Sequence, residues 1–268
     1  MLLKKDPSKK ITILTCYDFP TARALDNSDI DIIFVGDSVG TNVLGYRSEI
    51  EVTMSDMIHH LKAVRKGVTQ KILMVDMPYS SYNDIHSALA NAKQLKQKGA
   101  DIIKLEGGKE ISSIVSEIVK NNIPVMAHIG FMPQLAKQEK RAVVGALAVE
   151  AKKLYKDALA LQAAGACSIV FECVPEDIAK EISTRLTIPT IGIGSGKYTD
   201  GQVLVFTDVV GWYNMPYRFV KRYDTFYERT IAAANSFKLD VNSGEYPQRN
   251  HGFRIKAEEF KEFRRELS

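Results

Sequence analysis

Short apolar runs alternate along this chain with longer stretches of helical period. The runs at 11–17, 30–37, 71–77, 101–106, 124–129, 167–173, 189–193 and 202–206 predict eight strands. Most are apolar throughout and rich in Ile and Val, the pattern of parallel strands covered on both faces. Between them, Ile85, Ala88, Leu89, Ala92 and Leu95 recur at i, i+3 and i+4, which predicts an amphipathic helix over 84–98 stopped by Gly99. Ile111, Ile114, Ile118 and Val119 do the same in 109–121. A helix at 55–66 follows Thr53 as N-cap, and the Ala- and Leu-rich stretch 147–164 stops at Gly165. In 175–186, Pro175 takes a first-turn position while Ile178, Ile182 and Leu186 line one face.

Strands alternating with helices predict a (β/α)8 TIM barrel, with a doubly wound open sheet as the alternative. No G-x-G-x-x-G follows the first strand, which counts against a dinucleotide-binding sheet. Gly192-Ile-Gly-Ser-Gly196 falls at the seventh strand, where barrels often hold an anion; alone it is a weak signal. After residue 211 the pattern changes: 218–239 reads as helix, 242–250 as turns and 253–267 as a charged helix. We read 1–268 as one barrel domain and 212–268 as a C-terminal helical extension, packed on the barrel or at a subunit contact.

Composition narrows the class without choosing a reaction. The chain has 268 residues, 45% apolar and 25% charged, which suits one large domain or two small ones. The net charge of +4 is spread along the chain, with no patch that predicts a nucleic-acid partner. Cys16, Cys167 and Cys173 lie in apolar runs without metal-ligand spacing, so they read as reduced, buried thiols. The first ten residues are polar and lysine-rich, and no apolar run approaches the roughly 18 residues of a membrane span. The expectation is a cytoplasmic protein with no membrane partner.

The chemistry lies where the strands end. Asp37, Asp76 and Glu106 close three successive predicted strands, and Lys104 stands two residues before Glu106 on the same strand face. In a parallel barrel this is the end that carries the active site. Clustered carboxylates repel unless a cation neutralises them, and oxygen-only ligands favour a hard ion such as Mg2+. Glu172, between Phe171 and Cys173, is a carboxylate in apolar surroundings, a setting that raises its pKa and suits a general base. The alternative for Glu172 is a structural acid bonded to backbone amides. His128, read as the end of the fifth strand, is a wall residue or a catalyst, and Ser38 is a turn serine or a carboxylate ligand. The parts fit a 2-oxo acid chelated by a divalent ion, deprotonated beside its ketone and attacking an electrophilic carbon.

Eleven short motifs, in order, resemble the ketopantoate hydroxymethyltransferase family. They are Thr15-Cys-Tyr-Asp18, Val35-Gly-Asp-Ser-Val-Gly40, Val52-Thr-Met-Ser-Asp56, Asp76-Met-Pro78, Lys104-Leu-Glu-Gly-Gly108, His128-Ile-Gly130 with Pro133-Gln134, Ala164-Gly-Ala166, Phe171-Glu-Cys-Val-Pro175, Ile191-Gly-Ile-Gly-Ser-Gly196, Thr199-Asp-Gly-Gln202 and Ser243-Gly-Glu-Tyr-Pro247. The resemblance implies a (β/α)8 barrel and transfer of a one-carbon unit from 5,10-methylenetetrahydrofolate to 3-methyl-2-oxobutanoate, giving 2-dehydropantoate. It implies Asp37, Asp76 and Glu106 as magnesium ligands. It also implies Asp37, Ser38, Asp76 and Lys104 as keto-acid contacts, Glu172 as proton acceptor, and a homo-oligomer, often a decamer. One stretch departs: after Gln134 the family's glycine-rich segment is replaced by Leu135-Ala-Lys-Gln-Glu-Lys-Arg-Ala-Val-Val-Gly145, whose Lys137, Lys140 and Arg141 form a basic run. That puts folate handling in question and leaves two other readings open. One is a lyase of the phosphoenolpyruvate mutase and isocitrate lyase type, against which the lack of a loop cysteine counts. The other is a barrel that binds an oxo acid or folate without turnover.

Overall fold

The computed structural model describes residues 3–6, 8–136, 143–213 and 217–267. Eight parallel strands close in sequence order into a barrel. They are β1 (Ile11–Thr15), β2 (Ile32–Val35), β3 (Ile72–Asp76), β4 (Ile102–Glu106), β5 (Val125–Gly130), β6 (Ser168–Glu172), β7 (Thr190–Ile193) and β8 (Gly201–Leu204). β1 pairs with both β2 and β8, so no edge is left open. Most strands are shorter than their apolar runs, while β5 keeps the length of its run and is shifted one residue on, and β8 starts one residue early.

The helices between strands are α1 (Phe19–Asp26), α2 (Met54–Gly67), α3 (Ile85–Gln97), α4 (Ser112–Lys120), α5 (Ala148–Ala163) and α6 (Glu176–Arg185). α1 is absent from the pattern reading although its start is marked: Asp18 caps it, accepting from the Thr21 amide at 2.8 Å, with Pro20 in the first turn. Thr53 caps α2 as expected, within a capping box completed by Asp56. α4 is preceded by a separate 3-10 turn at Lys109–Ile111, and Pro175 is the N-cap of α6 rather than its first turn.

Two apolar layers hold the barrel. Ile33, Val35, Leu73, Val75, Ile103, Leu105, Val125, Ile129, Ile169 and Phe171 face outward onto the helices. Ile13, Ile32, Phe34, Met74, Ile102, Met126, Val170, Ile191 and Val203 fill the interior. The even-numbered positions of β3 to β6 therefore point inward, and the interior turns from apolar to charged toward the C-terminal ends.

No helix separates β7 from β8; residues 194–200 connect them directly. Ser195 in that segment donates to the Phe171 carbonyl at 2.8 Å and accepts from the Val174 amide at 3.1 Å. It thus braces the chain that follows β6, which is the role seen for the glycine-rich motif here.

Beyond β8 lie α7 (Phe206–Val209), α8 (Phe226–Ser243) and α9 (Ala257–Glu266). The segment 202–206, read as strand to its end, turns into α7 at Phe206. α8 begins later and runs further than the 218–239 reading, and α9 is shorter than 253–267. Neither α8 nor α9 buries a residue, so they do not pack onto this chain's barrel as one reading expected. Trp212 meets Phe226 edge to face at 4.8 Å near the start of α8.

Candidate active site

The ends of β2 to β6 bring all six sequence-predicted side chains to one cavity. Asp76, Glu106 and Glu172 are the last residues of β3, β4 and β6. Asp37 lies two residues beyond β2, in the turn that also carries Ser38. His128 lies inside β5, two residues before its end, a correction to its expected terminal place. Register explains the grouping: Asp76 pairs with Lys104, Glu106 with His128, and Gly130 with Glu172. Gly130 has φ +97°, and a Cβ there would stand 2.3 Å from the Glu172 carbonyl, so only glycine lets β5 run this close to the acid. Cys173, just after Glu172, also holds a positive φ of 52°, costly for a side chain with a Cβ and found most often at working sites.

The charges are buried and interlocked. Lys104 Nζ stands 2.5 Å from Asp76 Oδ1 and 3.7 Å from Glu106 Oε1. It also lies 5.5 Å from the centre of the Phe34 ring. Burial pushes the pKa values of Asp37, Asp76 and Glu106 up, and the Lys104 ammonium only partly offsets this. Burial alone would lower Lys104, but Asp76, Glu106 and Asp37 more than reverse it, and the lysine stays charged. One ammonium cannot balance all these carboxylates, so the site is poised to take up a further positive charge.

His128 sits between two acids: Nδ1 is 3.2 Å from Glu106 Oε1 and Nε2 is 3.5 Å from Glu172 Oε2. Neither contact has hydrogen-bond alignment. Burial, helped by Lys104, pushes the imidazole pKa down to about 3, so the ring is neutral at ordinary pH.

Three side chains in the site carry no role in the sequence reading. Gln134 is 1% exposed and reaches in from the turn after β5. Its Nε2 donates to Asp37 Oδ2 at 2.7 Å and to the Met77 carbonyl at 3.0 Å, and its main-chain N–H donates to Glu106 Oε2 at 3.1 Å. Tyr82 donates its hydroxyl to Gln134 Oε1 at 2.5 Å. Tyr17 shares a 2.8 Å hydrogen bond with Ser38 Oγ. Tyr17 and Gln134 stand inside the quoted motifs, so position flagged them; their function as braces depends on contacts across 21 and 97 residues of chain.

Among the described residues, no three His, Cys, Asp or Glu side chains are already arranged around a common metal position. Lys104 donates to Asp76 Oδ1, the Asp37 main-chain N–H donates to Asp76 Oδ2 at 3.0 Å, and Gln134 donates to one oxygen each of Asp37 and Glu106. The basic run Lys137, Lys140 and Arg141 lies outside the described residues. The three cysteines are buried as expected, and burial pushes the Cys16 and Cys167 thiols up to about 12.

Comparison with known proteins separates the readings left open. In solved structures the same architecture occurs at 10% identity in phosphonopyruvate hydrolase complexed with oxalate and Mg++, with a TM-score of 0.61 over 98% of this chain and 93% of that one. A 2,3-dimethylmalate lyase of the PEP mutase/isocitrate lyase superfamily matches with a TM-score of 0.57 at 12% identity, over 98% and 95% of the two chains. At such identities the likeness concerns the fold alone. Sequence relatives are far nearer. A 3-methyl-2-oxobutanoate hydroxymethyltransferase from Thermoanaerobacter sp. is 45% identical over 262 residues, covering 96% of this chain and 95% of that protein. The enzyme of the same name from Thermus thermophilus is 44% identical over 248 residues, covering 91% and 95%. The family model for ketopantoate hydroxymethyltransferase matches residues 1–249. A barrel of this topology, with this array of acids at its strand ends and this degree of identity along nearly its whole length, belongs to the ketopantoate hydroxymethyltransferase family.

Proposed function

We propose that the chain transfers a hydroxymethyl group from 5,10-methylenetetrahydrofolate to 3-methyl-2-oxobutanoate, giving 2-dehydropantoate. The observation that carries this reading is the convergence of Asp37, Asp76, Lys104, Glu106 and Glu172 on one cavity. The donor chemistry fits a hard cation: carboxylates predominate, no thiolate points in, and the one imidazole is neutral. Asp37, Asp76 and Glu106 would hold Mg2+, which supplies Lewis acidity to a 2-oxo group when bound.

The chain's own residues do the rest. Lys104 balances the substrate carboxylate, and Ser38, oriented by Tyr17, donates to it. Phe34, Met74, Val170, Ile193 and Val203 form the apolar wall that receives the isopropyl group. Glu172 accepts the proton at C3, and the resulting enolate forms a C–C bond to the one-carbon unit; its bonds to the folate nitrogens break, water supplies the hydroxyl and tetrahydrofolate leaves. A neutral His128 has one N–H and faces two carboxylates, so one contact lacks a proton until a carboxyl is protonated. Protonation of Glu172 during turnover supplies a proton on the Nε2 side of the ring.

The working form is a cytoplasmic homo-oligomer. Phe237, Leu239, Phe253, Phe260 and Phe263 are exposed in the C-terminal segment, an apolar area that a single chain leaves in water.

Purified protein with Mg2+, 3-methyl-2-oxobutanoate and 5,10-methylenetetrahydrofolate should form 2-dehydropantoate, and chelation should abolish this. Turnover of C4 to C6 hydroxy acids by C–C cleavage, with no folate-dependent product, would replace the transferase reading by a lyase.

A further inference from the structure

Each acid at the strand ends of β2 to β4 has its second oxygen already taken. Gln134 Nε2 holds Asp37 Oδ2 at 2.7 Å, and the Gln134 main-chain N–H holds Glu106 Oε2 at 3.1 Å. The Asp37 main-chain N–H holds Asp76 Oδ2 at 3.0 Å. The oxygens left turned to Lys104 and His128 are Asp76 Oδ1 and Glu106 Oε1, with Oδ1 of Asp37 the remaining atom of the third acid. Gln134 supplies two of these three locks from one residue.

That residue is itself fixed from all sides. It is 1% exposed. Its carbonyl oxygen accepts from Tyr82, and its amide nitrogen is shared with the Met77 carbonyl at 3.0 Å. Tyr82 is anchored in turn on the Glu106 main chain, accepting from its N–H at 3.4 Å. A side-chain amide held at both ends cannot turn away to release Asp37 without leaving a buried donor and acceptor unpaired.

We propose that Gln134 is a positioning residue that sets cation selectivity, by restricting Asp37 and Glu106 to one donor oxygen each. This rests on the reading of Asp37, Asp76 and Glu106 as the cation site. A cation that keeps a small octahedral shell with several waters or substrate oxygens is served well by single-oxygen carboxylates. A larger cation that takes 6–8 oxygens gains from bidentate ones. Denying the second oxygen therefore favours Mg2+ over Ca2+ through ligand number. The surrounding hydrogen bonds, rather than the ligands themselves, carry that preference.

The test is calorimetric titration of the whole protein with Mg2+ and with Ca2+, without folate, for wild type and Gln134→Met. Methionine keeps the side-chain length and removes the donor. Asp37 then regains a second oxygen, while the main-chain lock on Glu106 remains. The Mg2+:Ca2+ affinity ratio should fall about tenfold in the variant. Tyr82→Phe, which frees the far end of Gln134, should move the ratio the same way by less. Thermal unfolding reports whether each variant is folded. A folded Gln134→Met protein with the wild-type ratio overturns the proposal and leaves Gln134 a structural brace of the loop. Wild-type protein that binds neither cation overturns the cation-site reading itself.

Discussion

Single residues do sharply different work at the two ends of the barrel. At the C-terminal end, our functional reading makes Glu172 the proton acceptor. Glu172→Gln keeps the shape and removes the basicity, so exchange of deuterium into C3 of 3-methyl-2-oxobutanoate should stop. NMR of the substrate in D2O with Mg2+ reads this directly, and full exchange by the variant would take the base role away from Glu172. At the opposite end, Asp26 closes α1 and gathers the chain entering β3. Burial raises its pKa, but the Thr69 hydroxyl and the amides of Gln70, Thr69 and Lys71 outweigh that and hold it at about 2. An unfolded aspartate titrates near 3.9. The folded value is the lower one, so the stabilisation is complete above about pH 4 and is lost as the pH falls toward 2. Asp26→Asn should therefore cost about 1–3 kcal/mol in urea unfolding at pH 7 and progressively less below pH 4.

At the scale of elements, legibility followed the strength of local signals. β3 to β6 were readable because their runs are mainly apolar, with Ser168 the one polar residue inside them besides the site residues. α3 was readable because its apolar period spans several turns. α1 was missed because it is only eight residues long, although Asp18 and Pro20 mark its start. The glycines and serine of the 194–200 connection carry only a weak anion signal. What the local sequence does not contain is the partner: Ser195 is spent on Phe171 and Val174, neighbours only after β6 and β7 pair. Ser195→Ala should leave the Val174 amide unpaired and cost about 1–3 kcal/mol. Because that amide lies two residues from Glu172, the loss should also lower kcat more than substrate binding, which steady-state kinetics beside urea unfolding will separate.

At the scale of the whole molecule, the barrel accounts for the buried core, to which α8 and α9 add no residue. α8 and α9 bury nothing in one chain, while Phe253 is fully exposed and Phe260 and Phe263 project from the charged α9. A second copy is the partner our functional reading gives them. Replacing Phe260 and Phe263 together by Asp should then reduce the mass measured by light scattering and leave the circular dichroism of the barrel unchanged. A wild-type protein that already runs as a monomer would remove this role. Among the described residues no helix is long and apolar enough to cross a membrane.

The linear chain by itself determined the strand count, the parallel class and the identity of the acids, because each is written in contiguous residues whose period or chemistry needs no partner. It also placed Lys104 and Glu106 on one face, since two-residue spacing on a strand leaves no other choice. Only the tertiary structure decided what those groups do to one another. Lys104 lies against Asp76 because β3 and β4 pair in that register, and His128 sits between Glu106 and Glu172 because β5 runs between β4 and β6. Gln134 reaches Asp37 only because barrel closure brings the turn after β5 over the end of β2. Pairing register and closure are long-range packing outcomes, and the electrostatics of a buried site follow from them rather than from any local run of sequence.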